Sequence, residues 1–222
     1  MNAEEVAIYL KTHPEFFEQF GDLLANIKLP NPHGGAAASL ADRQVAVLRE
    51  RVHVLESKMG ELLRFGEQND GIAEKVHRLA VALMAANTLA EAVRNLYNHL
   101  EGAFAVPHVA VRIWGVGNGQ DAAATEFAEV PDTLKAFAGS MINPYCGFSA
   151  GQEAVAWFGD RGERIRSIAQ VPLREHGHDG GVCFGLLVLA SEEVERFYPD
   201  MGTLYLSRIG DMASSALLRV VG

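Results

Sequence analysis

A seven-residue spacing of apolar side chains runs through residues 39–70. Val45, Leu48, Val52, Leu55, Met59 and Leu62 fall on successive a and d positions of a heptad, preceded by Ala38 and Ala41. A repeat held to seven keeps one apolar seam facing a neighbouring helix, which is the signature of a coiled coil. Val at two of the a positions with Leu at d favours two parallel strands over three or four. In that arrangement the g residue Arg51 meets the e residue Glu56 of the second chain, an attractive pair. A helix from Ser39 to Phe65 runs about 40 Å, longer than a small domain needs. These residues predict a homodimer interface. The alternative is a long amphipathic helix lying on its own domain. Continued in register, the frame reaches Gly66, Asn69, Ala73, Val76, Ala80 and Leu83. The seam therefore weakens at GEQNDG, where a joint is expected, and resumes beyond it.

On either side of this helix the texture differs. Residues 1–30 read as a helical pair. NAEEVAIYLKT ends before His13-Pro14, because a residue preceding proline is pushed out of the α region. Thr12 with Glu15 has the spacing of a capping box for a second helix carrying Phe16, Phe20, Leu23, Leu24 and Ile27. So small a pair cannot bury that stripe alone and calls for a partner surface. LPNPHGGAAA, with two prolines and two glycines, breaks the helical pattern, so residues 31–38 form a linker, and Ser39 with Asp42 restarts a helix.

Residues 71–222 read as an α+β domain. IAEKVHRLAVALMAAN is a helix, and Thr88 with Glu91 caps the next, TLAEAVRNLYNHLEGAF. PHVAVRIWG alternates as a strand, with Val109, Val111 and Ile113 on one face and Ala110, Arg112 and Trp114 on the other. TEFAEV is a weak strand candidate and PDTLKAFAGSM a short helix. AVAWF, RSIAQVPL and GVCFGLLVLA follow as strands, and a final helix starts near Pro199 with Leu206, Ile209, Ala213, Leu217 and Val220 inward. The order predicts one antiparallel sheet with flanking helices.

Composition narrows the function classes. Of 222 residues, 19 are Lys or Arg and 28 Asp or Glu, a formal charge of −9 that repels a phosphate backbone, so no nucleic-acid partner is expected. The longest apolar run, GLLVLA, is far too short to span a bilayer, and no membrane association is expected. MNAEEVAIYL carries carboxylates where a secretory signal is basic. Two cysteines make no disulfide framework, which fits a cytoplasmic setting.

The stretches YLKTHPEFF, LPNPHGGAAASLADRQVAVLRER, PYCGF and RFYPDMGTLYL resemble the DUF484 family of bacterial proteins, whose function is not established. From Ser167 to Leu217 the chain also resembles the second half of a GAF domain: a strand ending in Pro-Leu, a turn, a Gly-containing apolar strand, a Phe and a long terminal helix. The resemblance implies a helical or coiled-coil N-terminal part before a GAF-like domain. Such domains usually bind a small molecule or a protein partner and relay that state through helices. Ala190-Ser191 stand where cyclic-nucleotide-binding relatives carry Asn-Lys, although Phe197 and Asp200 follow, so cyclic nucleotides are not expected. No effector domain follows the terminal helix in this sequence, so a signal would pass to another protein.

Placed on that fold, Trp114, Tyr145, Phe148 and Trp157 are ligand-pocket candidates on the sheet face away from the two long helices. Arg112 is the charge that orients an anionic ligand, and Cys146 is an accessible thiol beside them. Core aromatics and a solvent-lying Arg112 are the structural alternatives. Cys183 lies in an apolar strand where burial makes it inert. A Cys146–Cys183 redox pair gives a thiol reductase as one further alternative. His176, His178 and Asp179 have a metal-like spacing, but a closed site wants four ligands, and the turn reads as solvated polarity with no metal. RQVAVLRERV and RGERIR read as solvated faces. Gly115–Gly119 lacks the Lys-Ser/Thr of a phosphate loop, and no catalytic constellation or cofactor is predicted. The sequence thus reads as a non-enzymatic, dimeric regulatory or binding protein, with a ligand-free assembly module as the alternative.

Overall fold

The computed structural model describes residues 2–20, 40–116, 124–175 and 181–221, in two compact units, Met1–Met59 and Gly60–Gly222. In the first unit, helix α1 (Ala3–Thr12) opens with a reciprocal cap. The Asn2 side chain accepts from the Glu5 N–H at 2.8 Å, and the Glu5 carboxylate accepts from the Asn2 N–H at 3.0 Å. Helix α2 is the short Glu15–Gln19. Its expected Thr12 cap is not made. Pro14 takes the capping position, and the Thr12 hydroxyl turns back to donate to the carbonyls of Ile8 and Tyr9. The Phe16 and Phe20 rings lie 4.9 Å apart, tilted by 33°, whereas Leu23, Leu24, Ile27, the linker and the Ser39–Asp42 cap lie outside the described residues.

Helix α3 (Leu40–Ala85) carries the heptads. Where the sequence suggests two helices meeting at GEQNDG, the helix is unbroken through residues 66–71. Gly60, Gly66 and Gly71 each have open space where a Cβ would stand, so none of the described residues packs there to force a break. Beyond that stretch α3 turns Val76, Leu79 and Leu83 into the core of the second unit.

Helix α4 (Leu89–Asn98) begins at the predicted cap: Thr88 accepts from the Glu91 N–H at 3.2 Å, and the Glu91 carboxylate accepts from the Asn87 N–H at 2.8 Å. A wider helical turn, His99–Ala103, leads to strand β1 (His108–Ile113). Helix α5 (Asp132–Ser140) precedes strands β2 (Tyr145–Phe148), β3 (Ser167–Arg174) and β4 (Cys183–Ser191), and helix α6 (Leu204–Val221) closes the fold. The four strands form one antiparallel sheet in the order β1-β4-β3-β2. The protein is therefore α+β, with helices on both faces of that sheet. Those covers explain why β4 reads as a continuous apolar run, being buried on both sides. Pro172 is tolerated because the β2 pairing ends at Gln170, leaving β3 without a ladder partner on that side.

Two strand expectations fail. TEFAEV contains a 3-10 turn, Thr125–Phe127, and AVAWF lies in a 3-10 segment, Glu153–Arg164, kinked at Gly159 with φ +54°. A positive φ of that kind suits glycine and breaks any ladder. The segment buries Ala154 and lays Trp157 and Phe158 over the sheet instead.

On one face, Val111, Ala169, Val171, Leu187 and Leu189 pack against α3, α4 and α6. From α6 come Leu206, Ile209, Ala213 and Leu217, as predicted, while Val220 is half-buried. On the other face Ile168, Leu186, Val188 and Ala190 pack against Leu134 and Ala138 of α5 and Ile165. Each Val, Leu or Ile among them, once fully buried, contributes about 1.5–3 kcal/mol. Among the described residues no helix is long and apolar enough to cross a membrane.

Candidate functional site

The α5 side of the sheet is where the pocket candidates converge in part. Alternation along β1 puts Ala110 and Arg112 on this side and Val111 on the other. Because β1 is an edge strand, Val111 points its N–H and carbonyl outward, and two side chains satisfy them. The Tyr97 hydroxyl accepts from the N–H at 3.1 Å, and Arg112 Nη1 donates to the carbonyl at 2.9 Å. The guanidinium also lies 5.0 Å from the centre of the Trp157 ring, and Arg112 is only 8% exposed. Among the described residues no carboxylate forms an ion pair with it.

Trp114 donates its indole N–H to the Cys183 carbonyl at 3.0 Å and packs on the same cluster. Tyr145 also borders that cluster, edge-on to Phe137, and its hydroxyl accepts from Gln152 Nε2 at 3.2 Å. Gln152 Oε1 in turn accepts from Gln170 Nε2 at 2.8 Å, while the fully buried Gln170 Oε1 has no partner among the described residues. This glutamine chain escaped the sequence reading. The available signal was a polar residue on the inner face of RSIAQVPL.

The remaining candidates lie elsewhere. Cys146 is on the opposite face, in the core under the long helices, because alternation separates it from Tyr145. The expected accessibilities of the thiols are reversed: Cys146 is buried and Cys183 half-buried. Burial pushes Cys146 up to about 11 and raises Cys183 as well, so both are thiols rather than thiolates at neutral pH. Phe148 is exposed and lines a shallow cleft of about 450 Å³ with Val155, Ile165 and Val194. His176, His178 and Asp179 lie outside the described residues. Among the described residues no His, Cys, Asp and Glu cluster has metal-binding geometry.

A second cleft, of about 440 Å³, follows α4 between Arg94, Tyr97, Glu101 and Glu126. Burial first, and then the Glu126 carboxylate, pushes Tyr97 up to about 12. It therefore keeps its proton and donates to Glu126 at 3.4 Å while accepting from Val111.

The heptad residues Val45, Leu48, Val52, Leu55, Met59 and Leu62 are all exposed, reaching 70% at Leu62. Every residue from 44 to 71 is exposed, so among the described residues this part of α3 has no apolar cover.

Comparison with known proteins places these features in context. Residues 1–221 match the family described as "Protein of unknown function, DUF484". A Salmonella typhimurium protein named "Uncharacterized protein YigA" is 25% identical over 223 residues, covering 96% of this chain and 90% of its own length. The Escherichia coli protein of the same name is 33% identical over 84 residues, 38% of this chain and 35% of its own length. The chain belongs to the DUF484 family.

Proposed function

We propose that this DUF484 chain is a non-enzymatic, GAF-like regulatory or binding protein of the cytoplasm that works as a homodimer. Two copies pair along Val45, Leu48, Val52, Leu55, Met59 and Leu62 of α3. The α+β unit of each copy takes up a small molecule or meets a partner protein, and binding shifts the population between helix arrangements. The observation that carries this reading is the exposure of the heptad stripe. Six large apolar side chains in one seam are costly in water, and a second copy offers the matching surface at each level. The four-stranded antiparallel sheet with helices on both faces supports the GAF-like part of the reading. Replacing Leu48 and Leu55 by Asp tests the pairing by light scattering, and an unchanged dimeric mass overturns it.

One observation favours a second reading, in which the α+β unit is a ligand-free assembly module. Arg112, the predicted anion contact, already serves the Val111 carbonyl and lies under Trp157. Native mass spectrometry of protein purified from its own host separates the two. A retained small molecule supports the binding role, and bare chain mass supports the assembly role.

A further inference from the structure

An apolar groove runs between α3 and α6 in the second unit. It encloses about 370 Å³ and is lined by Ala80, Leu83 and Met84 from α3 and by Met212, Ser215 and Ala216 from α6. Met84 is 69% exposed. The heptad frame explains what this groove has in common with the stripe upstream. Ala73 and Ala80 occupy a positions, whereas the d residues Val76 and Leu83 are buried in the unit's own core. From residue 73 onward, then, half of the seam is spent on the domain itself. Of the a positions, Ala80 lines the groove and Ala73 is exposed one heptad before it, both small enough for close helix approach. At its far end the groove is held in shape by Arg219, whose guanidinium donates to the carbonyls of Leu83 at 3.1 Å and Ala86 at 2.7 Å and so caps α3.

We propose that a second copy of this chain covers the groove, in parallel and in register, so that α3 and α6 of each copy form a four-helix contact. The proposal rests on the self-pairing reading above and adds to it an orientation and a surface on the α+β unit. Charge selects the orientation. Parallel pairing sets Arg51 at g against Glu56 at e of the partner copy, twice by symmetry. Antiparallel pairing matches g with g and e with e and loses that attraction. Continuity selects the surface, since past Gly66 and Asn69 the positions Ala73 and Ala80 continue the frame of Leu62 on a single unbroken helix.

Cysteine cross-linking of the full chain tests this. Leu55→Cys and Ala80→Cys are oxidised separately, with the unsubstituted chain, whose two thiols are buried or half-buried, as background. Disulfide-linked dimer from both variants is the expected result. Linkage from Leu55→Cys but not Ala80→Cys overturns the groove contact and leaves the coil standing. Dimeric mass by light scattering with neither variant linked overturns the parallel register. Single-chain mass overturns the pairing reading and this proposal together. As a check independent of disulfide geometry, Met84→Glu is expected to weaken the dimer at least about tenfold with an unchanged far-ultraviolet circular dichroism spectrum. Unaltered dimer affinity in that variant also overturns the groove contact.

Discussion

Arg112 turns back along its own strand and donates to the carbonyl of Val111 at 2.9 Å, closing a sheet edge that Tyr97 closes on the amide side. The residue type that most suggested an anionic ligand therefore has a structural duty. The two roles make opposite predictions. If edge capping dominates, Arg112→Met leaves a buried carbonyl unpaired and costs about 1–3 kcal/mol, despite keeping the apolar stem. At roughly 2–4 °C per kcal/mol for a chain of this size, thermal denaturation resolves that loss. A variant as stable as the parent, or more so, would return Arg112 to the ligand role, since freeing a buried charge of its desolvation cost is stabilising.

Helix α6 approaches the sheet closely at Gly210, where a Cβ would stand 2.6 Å from Val171 Cγ1. Gly210→Ala gains helix propensity of about 1 kcal/mol but forces that contact apart, and overpacking of this kind costs about 1–3 kcal/mol. Net destabilisation is expected by denaturant titration. In a Val171→Ala background the same change should cost less, by at least about 0.5 kcal/mol. Equal costs in both backgrounds would show that the close approach at Gly210 does not depend on Val171.

Alkaline pH probes the buried hydroxyl and thiol. Cys146 rises from an ordinary 9.0 to about 11 and Tyr97 from 10.0 to about 12. In each case the unfolded chain releases its proton first, so the native state holds more protons across the interval. Stability is then full below about pH 9 and declines as pH rises towards about 12. Tyr97→Phe removes the upper part of that decline, and Cys146→Ala the lower part. A flat unfolding free energy across this window would contradict the burial of both groups.

The coiled-coil assignment has a direct readout in mass. The Leu48→Asp, Leu55→Asp double variant should scatter as a chain of 24.0 kDa, and the parent as twice that. Because both positions are exposed in the single chain, the α+β unit should keep its own unfolding transition. A parent already at single-chain mass would remove the pairing role of Val45, Leu48, Val52, Leu55, Met59 and Leu62.

Local chemistry made much of the fold readable. The Thr88–Glu91 cap, the alternation of β1 and the inward stripe of α6 depend on side chains within a few residues of one another, and all stand as expected. AVAWF misled because Trp and Phe suit a strand and the aromatic cover of a sheet equally well, and the positive φ at Gly159 is not visible in a dipeptide pattern. Cys146 was misplaced for a related reason. A thiol beside Pro, Tyr and Gly resembles a turn residue until β3 recruits Tyr145–Phe148 as a strand and alternation turns Cys146 inward.

By itself, then, the sequence determined the periodic elements, the apolar seam on α3 and the α+β class, since each follows from spacing along the chain. Only the tertiary structure decided that α3 runs unbroken through GEQNDG, that Arg112 and Tyr97 close the edge at Val111, and that Gln170 is buried with an acceptor unmatched among the described residues. Those outcomes depend on which distant groups meet in a dry interior, where a donor or acceptor left unmatched is costly, and residue spacing carries no record of such meetings.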